Sequence, residues 1–205
     1  MGQKKVWLIR HGKTKGNEEK RYSGRRTDDA LSEEGIREAE RLRLRIAGTE
    51  GLIPERVCTS PLRRAVQTAE ILFPGISCTR FEDLAEIDFG VFEGKNYQEL
   101  NGNEEYQKWI DSNGKLPFPG GETRDAFSER TFRAFTELLG DPGKDESIAV
   151  VCHGGSIMAV MTKLSDGDFY EFMTENLGGF CLELETDHEG IHLITYHKPV
   201  LRDPA

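Results

Sequence analysis

LIRHGKTKGN, residues 8–17, holds two readings that lead to different folds. Its GKT, residues 12–14, is the tail of a nucleotide-binding P-loop, whereas its RHG, residues 10–12, sets an arginine and a histidine where an apolar run ends. A P-loop needs a second glycine five residues before Gly12, so that consecutive backbone amides can curl around a polyphosphate. That position is Trp7, whose indole cannot give the tight turn. What remains is a strand, KVWLI at 5–9, that delivers Arg10 and His11 at its carboxyl end.

The same arrangement recurs late in the chain, where SIAVVC at 147–152 reads as a buried strand and runs into His153, Gly154 and Gly155. A third apolar run, RVCTS at 56–60, leads into PLRRAVQTAEILF at 61–73, a helix with Pro61 suited to its first turn and Arg64 close to its start. Ligands of open α/β sheets collect beyond the carboxyl ends of the strands. If these strands are parallel, two histidines and two arginines therefore converge on one rim.

Between these strands lie helical patterns, so the chain is read as an α/β sheet with helices on its faces. Ser32 is placed to cap a helix in which Ile36, Ala39, Leu42 and Ile46 recur at helical spacing. ISCTRF at 76–81 is a further strand candidate. Phe127, Thr131, Ala134 or Phe135, and Leu138 mark another amphipathic helix that GDPG stops, and FCLELE with IHLITYH reads as a late hairpin. The pattern loosens from Leu84 to Gly121. An irregular stretch of that length in a compact chain reads as a lid or binding loop, expected at about residues 92–121 of a single domain spanning 1–205.

The 205 residues are 37% hydrophobic and 31% charged, the balance of a soluble globular protein. No apolar run reaches the length of a membrane helix and no signal-peptide core follows the start, so a cytoplasmic protein with no membrane partner is expected. MGQKKV resembles an acylation signal but has Val6 where a hydroxyl residue is required. Cys58, Cys78, Cys152 and Cys181 form no CxxC pair, and His188, His192 and His197 are too far apart along a strand to share an ion. Neither a metal nor a cofactor is expected. The net charge of −9 divides unevenly: +6 over residues 1–64 and −15 over 65–205. The acidic whole argues against a nucleic-acid partner, while the basic first third suits a local pocket for a small anion. KRYSGRR at 20–26 is read as a solvated loop placed where it could screen an anionic substrate at the pocket mouth.

Two arginines repel a metal ion but fit a phosphoryl group, whose oxygens match the guanidinium fork. Neighbouring cations also disfavour protonation of histidine and leave a ring nitrogen free for nucleophilic attack. A proton donor for the leaving alcohol is still needed, and DLAEIDFGVFEG at 83–94 offers Glu86, Asp88 and Glu93 without choosing among them.

With LIRHGKTKGN, the motifs YSGRRTDDALSEEG, CTSPLRRAVQTAEIL, DLAEIDFGVFEG, PGGET and VVCHGGSI, in this order, resemble the phosphoglycerate-mutase-like branch of the histidine phosphatase superfamily over nearly the whole chain. The resemblance implies a three-layer α/β/α sandwich with a mostly parallel central sheet. It implies that His11 is the phosphorylated nucleophile, that Arg10, Arg64 and His153 bind the phosphate, and that Glu86 is the acid and then the base. Asn17, Thr14, Ser23 and Gly24 are implied to line the pocket, and Gly154 is expected to allow close backbone approach of the ligand. Lys13 stands where many relatives carry an acidic residue, which alters the charge at the pocket's edge. PGGET and LAEIDFG are more similar to the family's phosphatases, including those acting on α-ribazole phosphate, than to its mutases. Metal-independent hydrolysis of a small phosphorylated substrate is thus expected, with a mutase or a non-catalytic phospho-ligand module as the alternatives.

Overall fold

The computed structural model describes residues 1–49 and 51–198. Strand β1 (Gly2–Arg10) lies at the centre of a six-stranded sheet with β2 (Arg56–Thr59), β3 (Cys78–Arg80), β4 (Glu146–Cys152), β5 (Gly179–Thr186) and β6 (Ile191–His197), in the order β3-β2-β4-β1-β5-β6. The first four in that order are parallel. β5 returns antiparallel to β1, and the expected hairpin adds β6 at the edge. The sheet is therefore mostly parallel, as the resemblance implied.

Alternation along β1 assigns its two faces, because successive side chains of a strand point to opposite sides. Val6 and Leu8 join Ile148 and Val150 under helices α6 (Arg124–Leu139) and α7 (Gly154–Ser165). Trp7 and Ile9 join Ala149 and Val151 under α2 (Glu33–Ala47) and α3 (Arg63–Leu72). Helix on sheet on helix gives the three layers, each interface a continuous apolar core. Short helices α1 (Lys15–Glu18), α4 (Tyr97–Leu100) and α5 (Glu104–Asp111) lie in the connections, where α5 and its flanks carry a third apolar cluster with Phe92, Leu100 and Phe118. Among the described residues no helix is long and apolar enough to cross a membrane.

Two expectations about helix faces and ends are corrected. Ile36 lies at the exposed margin of α2, and the buried positions are Gly35, Ala39, Leu42 and Ile46. Gly35 takes that place because a Cβ there would come within 2.2 Å of the Lys13 carbonyl oxygen, so only glycine lets α2 meet the loop after β1. Pro61 stands two residues before α3, ahead of the N-cap Leu62. At the end of the preceding strand, Ser60 Oγ accepts from the Leu62 amide at 3.2 Å and shapes the entry.

Candidate active site

Parallel pairing of β1 with β4 puts Arg10 opposite Cys152. The next residues of both strands, His11 and His153, therefore emerge side by side, and the His11 amide still donates to the Cys152 carbonyl at 3.0 Å. Their ring centroids are 5.2 Å apart, edge to face. Strand β2 ends at the same rim: the Ser60 amide donates to the Val151 carbonyl, and Ser60 Oγ lies 2.7 Å from His153 Nε2. No sequence motif had singled out Ser60.

His11 is buried with Nδ1 2.7 Å from the Gly12 carbonyl. A carbonyl only accepts, so Nδ1 carries the proton and Nε2 of the neutral ring keeps its lone pair. Burial, then the charges of Arg64 and Arg10, hold the His11 imidazole well below its ordinary protonation range. Burial and the same arginines do likewise for His153. The Gly12 amide is fixed by Thr68 Oγ1 at 3.0 Å, which ties the turn to α3.

Arg64 is fully buried while its neighbour Arg63 is exposed. Its guanidinium donates to the carbonyls of Thr27, Ser23 and Gly24 at 2.6–3.1 Å, and its Nε is buried with no partner among the described residues. His153 Nδ1 is likewise buried and unpartnered among the described residues. Buried polar atoms seldom go unpaired in folded proteins, and the Arg64 charge reaches His153. Arg10 donates from Nη1 to the Thr174 carbonyl at 2.6 Å and packs against Gly154.

The three carboxylates left open by the sequence occupy different surroundings. Glu93 accepts from the Gly24 amide at 3.0 Å and the Thr27 hydroxyl at 2.6 Å, fastening the loop that holds Arg64. Asp88 accepts from Arg26 Nη2 at 2.9 Å and from the Gly90 amide at 2.8 Å. Only Glu86 of the three is buried, with its oxygens accepting from the Ile87 amide at 2.9 Å and the Gly155 amide at 3.0 Å. Burial raises its carboxyl above the ordinary range, against the opposing pull of those amides and of Arg64 and Arg10. Gly155 is required by this contact, because a Cβ there would fall 2.2 Å from Glu86 Oε1.

The remaining expected pocket residues act on one another. Thr14 and Asn17 form a capping box on α1, and Asn17 Oδ1 also lies 3.2 Å from Asn176 Nδ2. Asn176, missed by sequence reasoning, donates to the His11 carbonyl at 2.9 Å as well. Ser23 and Gly24 meet the site through their carbonyls, which orient Arg64. The KRYSGRR loop is more paired than expected, since Arg21 bonds Glu19 and Glu99 and Arg26 bonds Asp88. A second missed residue, Arg130 on α6, donates to the carbonyls of Asp83, Ala85 and Glu86 at 2.8–3.0 Å and pairs with Glu122, locking the segment that carries Glu86. His192 lies 3.7 Å from Asp187, and no group of three or more metal-ligating side chains gathers among the described residues. Burial pushes the Cys152 thiol up to about 12, well away from a reactive thiolate.

Fold and rim together define an α/β protein whose strand ends bring two buried histidines and two arginines together. The chain belongs to the histidine phosphatase superfamily (branch 1), whose family model matches residues 6–197. It is 31% identical over 163 residues, 76% of this chain and 68% of the relative, to phosphoglycerate mutase-like protein 4 of Arabidopsis thaliana. It is similar to the crystal structure of phosphoserine phosphatase in complex with 3-phosphoglyceric acid from Entamoeba histolytica, with a TM-score of 0.77, 25% identity and coverage of 97% of this chain and 98% of that one. The α-ribazole phosphatase of Shigella flexneri shares the fold, with a TM-score of 0.74 at 24% identity over 92% and 94% of the two chains.

Proposed function

We propose that the protein is a metal-independent phosphomonoesterase that hydrolyses a small phosphorylated metabolite through a phosphohistidine at His11. The observation that carries this is the hydrogen bond from His11 Nδ1 to the Gly12 carbonyl. It leaves Nε2 as a lone-pair nucleophile among Arg10, Arg64 and His153, which meet the charge of the phosphoryl oxygens.

Nε2 attacks phosphorus, the P–O bond to the alcohol breaks, and the alcohol oxygen takes the proton of Glu86. A water then attacks the phosphohistidine, Glu86 accepts its proton, and inorganic phosphate leaves with His11 restored. One carboxyl group serves both steps: burial raises its affinity for protons and favours the acid form before the first, and the proton it then gives to the alcohol leaves it ionised for the second. Thr14, Asn17, Ser23, Gly24 and Gly154 frame the pocket, the first four by fixing the loops and Arg64 and the last by its contact with Arg10. α-Ribazole 5′-phosphate, indicated by the sequence patterns, is a first ester to try. Four free cysteines fit the reducing cytoplasm.

Incubation with 4-nitrophenyl phosphate in EDTA tests the proposal: wild type releases phosphate at a rate EDTA leaves unchanged, and His11→Ala does not. No release by the wild type from this or any of a panel of small phosphates would favour a phospho-ligand binding module. Transfer of phosphate within a phosphoglycerate, without release, would favour a mutase.

A further inference from the structure

Beside Glu86 lies a cavity of about 320 Å³ whose wall includes Arg10, Glu86, Gly154 and Gly155, the residues that follow or face the two histidine-bearing strand ends. Beyond them the lining changes character. Phe127 stands next to Gly155, and the wall continues through Phe89, Trp109 and Phe118 to Met173 at the mouth. The Phe118 ring centroid is 4.9 Å from those of both Phe89 and Trp109, so these rings support one another as a built wall. Trp109 and Phe118 come from the expected lid segment. The one cation lining the cavity beyond Arg10, among the described residues, is Arg124, and its guanidinium lies over the Phe169 ring at 5.5 Å.

We infer that the alcohol part of the substrate is bulky and apolar, an aryl or long alkyl group, rather than a short polyol or amino acid. This rests on the proposed hydrolysis, because an alcohol oxygen protonated by Glu86 directs its carbon skeleton into this cavity. Hydroxyls placed against Phe89, Phe118 and Phe127 would lose water without gaining partners, and the side-chain polar groups of the wall beyond Arg10, Glu86 and Arg124 are few: the Tyr170 hydroxyl, the Trp109 Nε1–H and a Tyr22 hydroxyl already paired with Tyr106, so an alcohol rich in hydroxyls is penalised. Apolar carbons there lose only water, and a cavity of this size has room for a ring. The rings also supply faces for stacking on a planar group.

The test uses esters whose leaving groups are all unactivated alcohols, so that chemistry stays nearly constant while bulk changes. kcat/KM for ethyl, butyl, hexyl and 2-phenylethyl phosphate is compared with that for phosphoserine and 3-phosphoglycerate. The expected result is a rise of about two- to fourfold per methylene from ethyl to hexyl, with phosphoserine and 3-phosphoglycerate below hexyl phosphate. Trp109→Ala flattens that rise. Met173→Glu, at a position 59% exposed and thus without cost to the core, lowers the hexyl-to-ethyl ratio severalfold. A flat series overturns the inference, as does a preference for phosphoserine that Arg124→Ala removes, which would make the cavity a carboxylate reader; in both cases the hydrolysis still stands. Absence of hydrolysis of every ester, with no phosphorus bound to the protein, would instead sink the proposed function and this inference with it.

Discussion

Glu86 Oε2 accepts from the Gly155 amide at 3.0 Å, so the first turn of the helix that begins beside His153 also holds the carboxyl group across the pocket from it. A proton on this carboxyl matters only where the leaving oxygen needs one. Glu86→Gln should therefore reduce kcat/KM for an alkyl phosphate by about 10²- to 10⁴-fold, and far less for 4-nitrophenyl phosphate, whose phenolate leaves unprotonated. Equal losses for the two esters would contradict the role.

Gly155→Ala offers a steric version of the same experiment. Its Cβ would sit 2.2 Å from Glu86 Oε1, so the carboxyl must move while His11 and Arg64 stay in place. Alkyl phosphate hydrolysis should fall at least tenfold with phosphohistidine formation from 4-nitrophenyl phosphate largely kept. Unchanged alkyl phosphate kinetics would show that the Glu86 position is not critical.

How legible this was differs from residue to residue. Strand ends followed by HG announced His11 and His153, because a buried strand has a direction and the chemistry of α/β sheets gathers at one end of it. Arg64 against Arg63 was settled in sequence only by resemblance; in space, burial beneath the 23–27 carbonyls separates them. Glu86, Asp88 and Glu93 share one short segment, and what distinguishes them is which arginine or amide each meets after folding. Ser60, Arg130 and Asn176 carried no local signal. The partners of Ser60 and Asn176 in the rim lie 93 and 165 positions away, a distance only the sheet order closes.

Ser60 should act as a positioning residue for His153. Its hydroxyl accepts from the Leu62 amide and lies 2.7 Å from His153 Nε2; donating its proton there would place the ring proton on Nδ1, ready for a phosphoryl oxygen. Ser60→Ala should lower kcat about tenfold, the worth of one buried hydrogen bond, and should shift the ¹⁵N resonances of His153 toward a mixed tautomer. Unaltered ring resonances would remove Ser60 from the account.

Acid pH acts on activity and stability through the same imidazoles. His11 stays neutral below its ordinary 6.5, so the acid limb of kcat/KM lies below that value, while Glu86 keeps its proton above its ordinary 4.5 and the alkaline limb reports its loss. In the unfolded chain both histidines protonate below about 6.5, and there the unfolded state binds more protons than the folded one. Stability therefore falls as pH drops from 6.5 toward the folded values. The urea midpoint should decrease between about pH 7 and about pH 5.5 in wild type, and less so in His11→Asn. Equal decreases would show that His11 titrates normally in the folded protein.

Whether phosphorus passes through His11 is read by rapid quench in alkali during turnover of a ³²P-labelled ester. An alkali-stable, acid-labile label that maps to the peptide containing His11, and that is missing in His11→Ala, is the predicted result. A wild-type enzyme that turns over at full rate with no label on that peptide would contradict it.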